Sequence, residues 1–329
     1  LEFLEKDNKL IENDEPRYLA RWQHAGTFND KTRAFVDFSY VSDDYYLVDI
    51  GSKEFNRNDS YLSQVGEIGY FEDQWSLKLK MQDFAVLGTH TNSYKTIPQI
   101  EFYKFEPIDF YESTLDFYGE YSFFETPDKW LPKAHRFHVE TGIDIPYSTP
   151  GWFVNSEFKL LQTNYIQERI TEDSPLEKNV NRTLPKVRIH SGINLERALT
   201  HIGTNLMQTL EPQMQYLYIP YKDQSNISLY DTTLLQDDYD GLFRERRFSG
   251  LDRIAEANQV SWGLTSRILD SGNDELFHFS LGRIFYLNDR RAKTDNSAQI
   301  EEDKSAIAAE LFFQLDKRWQ LNGDIQFNP

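Results

Sequence analysis

Hydrophobic and polar residues alternate with a period of two along most of this chain. The clearest run is 75–82, where Trp75, Leu77, Leu79 and Met81 interleave with Ser76, Lys78, Lys80 and Gln82. Successive side chains of a strand point to opposite faces, so this pattern predicts a strand with one apolar and one polar face. Residues 32–40 alternate in the same way, with Ala34, Val36, Phe38 and Tyr40 set against Arg33, Asp37 and Ser39, and only Phe35 out of phase. Further strands are predicted over 17–28, 61–71, 99–106, 112–123, 136–146, 152–165, 186–196, 204–219, 258–269, 276–287, 305–315 and 319–327, while 1–5 reads as the tail of another. The total is about fourteen, and most are near the ~10 residues that a tilted strand needs to cross a bilayer. No segment of helical period competes with this reading.

The connections are as informative as the strands. After a tight turn at 29–31, short links fall at 72–74, 107–111, 148–151, 198–203, 270–274 and 316–318. Long ones fall between them, at 41–60, 84–98, 125–135, 166–185, 220–257 and 288–304. A soluble antiparallel sheet also alternates along its strands, but gives no reason for loop lengths to alternate. An outer-membrane barrel does, with short periplasmic turns and long outer loops. Trp75, Tyr111, Trp152 and Trp319 follow short turns, which places aromatics in one interface plane. The fold class predicted is therefore all-β: an antiparallel transmembrane β-barrel segment, belonging to a larger outer-membrane barrel.

Composition sharpens this. Of 329 residues 39% are hydrophobic and 15% aromatic, and mean hydropathy is −0.64. A helical membrane protein needs spans of about 20 apolar residues, and no such run is present. A barrel keeps hydropathy low because only alternate residues face lipid. The net charge of −18, from 53 acidic and 35 basic residues, argues against nucleic acid as a partner, since phosphate binding needs a basic footprint. There are no cysteines, so no disulfide or thiolate chemistry is proposed.

Residues 220–257 are far longer than an ordinary connection, and a loop of that length is commonly functional or disordered. Its aromatics and aliphatics, among them Tyr221, Leu229, Tyr230, Tyr239, Leu242, Phe243, Phe248, Leu251 and Ile254, predict an ordered insert that packs on something. Arg244, Arg246, Arg247 and Arg253 form the densest basic cluster in an acidic chain. Forked guanidinium bonds could hold sugar phosphates or a partner's carboxylates. Alternatively Asp237, Asp240, Glu245 and Asp252 could neutralise the cluster and pin the loop, and their proximity favours pinning. Gln236-Asp237-Asp238-Tyr239-Asp240-Gly241 resembles the start of a calcium loop, but the first position is Gln236 and the twelfth Arg247, where a bidentate Glu is required. That excludes an EF-hand and leaves at most a looser divalent-cation site. His138 and Glu140 share the polar face of one strand, and the expected reading is a hydrated lumen histidine. Nucleophile-elbow, zincin, P-loop and dinucleotide motifs are absent, so neither an enzymatic role nor a cofactor or metal is expected.

The runs 210–215 (LEPQMQ), 216–225 (YLYIPYKDQS), 234–247 (LLQDDYDGLFRERR) and 250–260 (GLDRIAEANQV), with TSRI at 265–268, closely resemble the lipopolysaccharide-assembly (LptD) family of the Gram-negative outer membrane. The flanking strands resemble that family's barrel, so the similarity extends over nearly the whole chain. It implies a translocon in the cell outer membrane that receives lipopolysaccharide from periplasmic bridge proteins and passes it to the outer leaflet. It also implies a plug lipoprotein, LptE, inside the barrel, and contact with outer-membrane lipids. Residues 1–329 would then be part of a single barrel domain with 220–257 as a folded insert. The family's periplasmic jelly-roll domain, its cysteines and its exit-seam strands are expected to have no counterpart here. The insert is expected to turn inward, cap the lumen and touch the lipoprotein through Tyr239, Phe243 and Phe248. Arg244 and Arg247 would pair with carboxylates, and Asp252 and Arg253 lie beside them. The alternatives are a passive porin or receptor barrel, or a barrel enzyme that would need a Ser/His or Asp/His constellation.

Overall fold

The computed structural model describes residues 1–7, 15–90, 92–199, 206–236, 238–294, 303–316 and 318–328. Sixteen strands form one sheet among them. In order they are β1 (Glu2–Leu4), β2 (Arg17–Thr27), β3 (Thr32–Val41), β4 (Tyr61–Phe71), β5 (Trp75–Val86), β6 (Lys95–Pro107), β7 (Thr114–Glu125) and β8 (Lys133–Ser148). They continue as β9 (Trp152–Glu168), β10 (Asn179–Ile193), β11 (Leu195–Leu199), β12 (Leu206–Ile219), β13 (Ala257–Leu269), β14 (Glu275–Tyr286), β15 (Ile307–Gln314) and β16 (Gln320–Phe327). Spatial order follows chain order except at β11, a short strand that pairs with β12 alongside β10. All pairings are antiparallel, and the sheet is open between β1 and β16 among the described residues. Counting the short β1 and β11 brings the total above the fourteen that the alternation predicts.

The larger difference lies at one end of the strands. β6, β8 and β10 begin at Lys95, Lys133 and Asn179, several residues before the alternation becomes legible. The β9–β10 ladder runs unbroken from Asn179↔Ile166 to Ile193↔Trp152. It passes through Pro185, which the sequence reading leaves in a loop. The β12 side of β10 is laddered only from Val187 onward, so a residue without an N–H is tolerated there. These extensions lie at the long-loop end, where buried apolar residues such as Ala134, Val180 and Leu184 switch to the inward face, so the outward apolar period of the strands stops there.

The faces are distributed inside out relative to a soluble sheet. Leu77, Met81, Ile100, Leu115, Phe117, Phe137, Phe158, Leu160, Ile189, Met214 and Phe279 point from the strands to the surroundings. On the opposite face Glu120, Arg136, His138, Glu140, Glu157, Thr163, Arg182 and Lys186 are buried. A soluble protein does not present so continuous an apolar surface to water. The arrangement suits a wall with hydrocarbon outside and polar contents within. In β5 the odd-numbered residues of the predicted register do lie outward, and Lys78 on the even side pairs with Glu101 at 2.6 Å. No helix among the described residues is long and apolar enough to cross a membrane.

At the short-turn end Trp75 and Trp152 open β5 and β9, Trp319 immediately precedes β16, and Tyr111 lies in the turn before β7. Trp152 packs against Tyr147 with ring centroids 4.9 Å apart and Trp75 against Tyr70 at 5.5 Å, both pairs tilted, as expected of amphipathic rings at an interface. The long loops interlock at the other end. The one-turn helix Tyr46–Asp49 seats Tyr46 and Leu47 in a cluster with Leu19, Val41, Leu62 and Leu87. Arg17, nearly inaccessible, ties that loop down through Asp7 and Asp43, each at 2.8 Å, and Asp49 at 3.1 Å. Neighbouring loops join through Asn92–Asp128 at 3.0 Å and Tyr94–Pro132 at 2.8 Å.

Candidate functional site

Residues 220–256, between β12 and β13, form a strap over the polar face of the sheet. Three apolar clusters hold it. Ile227 and Tyr230 pack with Phe124, Ala134, Tyr165 and Val180 of β7–β10, the Tyr230 ring stacking on Phe124 at 5.2 Å. Leu251 and Ile254 pack with Leu161, Leu184, Leu217 and Ile219 of β9, β10 and β12. Tyr239, Leu242 and Phe243 reach Ile284 and Ala308 of β14 and β15. The strap thus touches strands from β7 to β15. Within it, Leu234 and Phe248 form a bridge, with Leu235 N–H donating to the Arg247 carbonyl at 3.0 Å and Ser249 N–H to that of Thr233 at 2.9 Å. The excursion so closed carries a 3-10 turn, Asp240–Phe243.

Two glycines let that turn approach the wall. A Cβ on Gly263 would lie 2.7 Å from the Tyr239 hydroxyl and 2.8 Å from Phe243. One on Gly282 would lie 2.7 Å from Leu242 and 2.6 Å from the Trp262 carbonyl. Glycine in a strand interior commonly marks such an approach.

Charge fixes the other end. Arg136 of β8 is only 1% exposed. Its fork meets both carboxylate oxygens of Asp231 at 2.9 and 2.6 Å, Glu120 of β7 at 2.8 Å, and Asp252 at 3.1 Å. Asp252 is fully buried. It accepts from the Tyr165 hydroxyl at 3.0 Å and from the Tyr230 and Asp231 amides at 2.7 and 2.8 Å. Arg182 of β10 donates to the Leu251 and Asp252 carbonyls at 2.5 and 3.1 Å and to Gln224 at 2.5 Å. Gln224 in turn holds the Ile254 backbone through both its carbonyl and its amide, at 2.9 and 2.8 Å. A second row lies nearer the turn: Lys186 bridges Glu157 and Glu245 at 2.7 and 2.5 Å, and Arg246 meets Glu140 at 2.6 Å.

Desolvation opposes every one of these charges, so each needs a partner. Burial alone would raise the carboxyl pKa of Asp231 and of Glu245. Arg136 instead holds Asp231 below the usual carboxylate range, and Lys186 and Arg188 do the same for Glu245. For Asp252, burial and the adjacent Asp231 carboxylate outweigh Arg136 and push its pKa upward. The two aspartates thus bind protons as a pair.

The residues singled out in the sequence have separate places here. Tyr239 is buried, its hydroxyl 2.9 Å from Thr265 and 3.2 Å from the Gln213 amide. Phe243 stacks on His190 at 5.3 Å. Phe248 is buried, with the Arg247 guanidinium 5.3 Å over its ring. Arg244 stays within the strap, donating to the Gln236 carbonyl at 2.8 Å and pairing with Asp238 at 3.3 Å. Arg253 donates to the Lys293 carbonyl of the next long loop at 3.1 Å. Asp252 alone joins the central knot. Asp238, a ligand in the calcium-loop reading, accepts from the Gly241 amide at 2.7 Å, and Asp237 lies outside the described residues. No group of three or more His, Asp or Glu among the described residues is arranged to hold a metal ion.

His138 and Glu140 do lie side by side at 3.0 Å, but beneath the strap, with His138 1% exposed and bonded to Thr163 at 2.8 Å. The histidine is therefore not hydrated. Arg136 and Arg182, which do most to hold the strap, carry no sequence signal beyond lying on the polar face of their strands. Their partners are 95 and 116 residues away for Arg136, beyond any local pattern.

Comparison with known proteins agrees along the full length. The family model for LptD, described as LPS transport system D, matches residues 15–329. The LPS-assembly protein LptD of Shewanella frigidimarina is 41% identical over 329 residues, covering 99% of this chain and 43% of that protein. Its namesake from Shewanella oneidensis is 42% identical over 332 residues, covering 100% and 43%. That of Pseudoalteromonas translucida is 39% identical over 329 residues, covering 100% and 44%. The chain thus spans less than half the length of these relatives. With an inside-out antiparallel wall and a family match over 15–329, this chain belongs to the LptD family of the lipopolysaccharide transport system.

Proposed function

We propose that this chain forms part of the wall of a single outer-membrane barrel that passes lipopolysaccharide to the outer leaflet, with 220–257 as its folded insert. The long loops would face the exterior and the short turns the periplasm. Family membership supports transport over a passive porin. Further strands would pair with the open edges at β1 and β16, since a free-standing barrel must close. Bridge proteins would deliver the lipid through a periplasmic domain, and the chain's own part would be shape and charge, without a chemical step.

The observation that carries this reading is the strap pinned across the polar face by Arg136, Arg182 and Lys186. A wall that binds a strap so tightly is built around contents, and a plug lipoprotein of the LptE type suits it. Tyr239 and Phe243 hold the strap to the wall, so contacts to the lipoprotein would come from exposed positions such as Leu234 and Gln236. A photo-crosslinker at Leu234 in the full-length protein should capture the small lipoprotein in cells. No capture from Leu234 or Gln236, with the strap cleaved freely by external protease while transport continues, would refute it.

A further inference from the structure

The turn between β6 and β7 holds two consecutive non-glycine residues in the left-handed region, Tyr111 at φ 48° and Glu112 at φ 54°. L side chains adopt that conformation at a cost, and strain kept twice in succession marks a segment whose display matters. The turn is locked by the Ile108 N–H, which donates to the Ser113 carbonyl at 2.8 Å, and by the Ser113 N–H, which donates to that of Phe110 at 3.0 Å. It displays two rings, Phe110 and Tyr111, with centroids 4.9 Å apart. Tyr111 reaches Tyr147 at 6.5 Å, and Tyr147 meets Trp152 at 4.9 Å. All four rings are exposed, and a contiguous apolar patch of that kind marks a membrane or protein contact.

The patch runs into an apolar cavity of about 470 Å³ on the same outward face, lined by Trp152, Val154, Ser191, Ile193, Pro212 and Met214 among others. Val154, Ser191 and Met214 stand side by side on β9, β10 and β12, so the small serine leaves a notch between two larger side chains. Its hydroxyl is turned to the Met214 carbonyl, donating at 3.4 Å. Gln213, also on the lining, directs its side chain inward to His190 and Tyr239. The next pair toward the short turns, Ile193 and Pro212, is not laddered. β10 and β12 pair as far as Gly192↔Gln213, and β11 resumes at Leu195↔Leu210. Pro212 has no N–H to offer, so the ladder breaks at the notch.

We propose that notch and turn together bind one zwitterionic phospholipid, with an acyl chain in the notch and an ammonium headgroup beside Asp109 and Glu112. The occupant follows from position and charge. The notch continues the outward apolar face, so hydrocarbon fills it. Its rim carries Trp152, Tyr147 and Tyr111, and rings of this kind lie at headgroup level. Being exposed, they present two hydroxyls and an indole N–H to phosphate and ester oxygens. The turns 107–113 and 148–151 hold two exposed carboxylates, Asp109 and Glu112, and no basic residue. An ammonium is favoured there and a purely anionic head is not. The proposal rests on reading the apolar face as the lipid side and takes nothing from transport.

The test uses the full-length protein in detergent, titrated with phosphatidylethanolamine or with phosphatidylglycerol of the same chains, and read by native mass spectrometry as lipid bound per protein. Wild type should retain one phosphatidylethanolamine beyond the loosely bound lipids. It should hold that lipid about two- to fivefold more tightly than phosphatidylglycerol, the range for exposed charge contacts. Ser191→Trp, which fills the notch, should abolish the retention, and Val154→Trp, which crowds it from one side, serves if the first variant does not assemble. Asp109→Asn/Glu112→Gln should keep the lipid and lose the preference. Ile100→Trp, outward but on β6, should change nothing. Equal retention by wild type and a filling variant of normal heat-modifiability would overturn the site. Equal affinity of wild type for the two lipids would overturn the headgroup assignment. A nitroxide at Ile100 checks the lipid side separately: in water it sinks that reading, whereas in hydrocarbon, with Ser191→Trp still retaining lipid, it sinks the site alone.

Discussion

Replacing Arg136 by methionine keeps most of its length and removes its charge. The change leaves Glu120 and Asp252 buried, and Asp231 partly so, without their shared cation, since the arginine is 1% exposed and Asp252 fully buried. Removing one partner of a buried ion pair costs about 3–5 kcal/mol, more than the pair itself contributes, because the abandoned charge stays desolvated. Here two of the three carboxylates belong to the strap and one to β7, so the cost falls on docking rather than on the ladder. Converted at ~1.4 kcal/mol per decade, the docked strap should lose roughly two to three and a half orders of magnitude in population relative to its open form. Arg244→Ala supplies the contrast. Its partner Asp238 is 53% exposed at 3.3 Å, so that loss should stay within about 1 kcal/mol.

The assay is cleavage of the strap by added protease in outer-membrane fractions of the full-length protein, with heat-modifiability of the barrel on gels as the control for wall integrity. Arg136→Met should be cut far faster than wild type while the barrel still forms, and Arg244→Ala should behave as wild type. The deficit should also depend on pH. In the wild type, Arg136 depresses the Asp231 pKa, a contribution present above the unfolded value and lost as pH falls through the folded one. Without Arg136, burial and the mutual repulsion of the two carboxylates should outweigh the remaining amide hydrogen bonds and raise the pair above its unfolded values. The folded variant then binds more protons than the unfolded one, so it gains stability as pH falls. Its deficit should therefore be smaller near about pH 5 than near about pH 8. Equal protease resistance of Arg136→Met and wild type at both pH values would refute the pinning argument.

The outward register of β5 predicts that Leu79→Arg, flanked by Ile68 and Ile100 on the outer face, costs roughly 2–4 kcal/mol near the bilayer midplane. Lys80→Leu should cost little, and equal tolerance of the two in a heat-modifiability assay would count against the register. Single cysteines at the exposed Asp173 and Asp73, in a long loop and a short turn, should differ in intact cells. An impermeant maleimide should reach the first and not the second, and the opposite result would invert the topology. The Tyr230 and Asp231 amides, which donate to Asp252, should exchange hydrogen more slowly than those of the 3-10 turn Asp240–Phe243. Faster exchange at Tyr230 would place the strap's firm end elsewhere.

The parts of the fold legible in the sequence are those where an exposed apolar face of a strand alternates with a polar inward one. Trp75 to Gln82 reads cleanly for that reason, and so do the turns that bound it. Asn179 to Leu184 does not, because there Val180 and Leu184 face inward on either side of Arg182, and the phase no longer matches that of Val187 and Ile189. Pro185 then looks like a terminator, although β10 carries it where only one side is laddered. The strap's order was legible from its aromatics, since a segment so rich in buried groups has to pack. Where it packs was not.

That gap concerns a particular kind of interaction. The sequence shows a basic cluster at Arg244, Arg246, Arg247 and Arg253 with carboxylates nearby, and local proximity suggests pairing among them. Arg244 and Asp238 do pair locally, yet half-exposed and at a loop tip, where such a pair contributes little. The charged contacts that pin the strap reach across to the wall instead: Asp231 and Asp252 meet Arg136, Glu245 meets Lys186, and Arg246 of the basic cluster meets Glu140. Arg136 sits at an ordinary polar-face position between Ala134 and His138. What distinguishes it is burial, and burial here is produced by the strap itself. Each side of the knot is therefore meaningful only once the other is in place. A periodic pattern cannot carry that information, because period reports which face a residue occupies and not what lies across from it. The apolar clusters seat the strap on the wall, and the charges between them add a second, directional constraint on its register. Misplacing the strap by one residue would leave the buried Arg136 and Asp252 without each other, a cost that makes this docking specific.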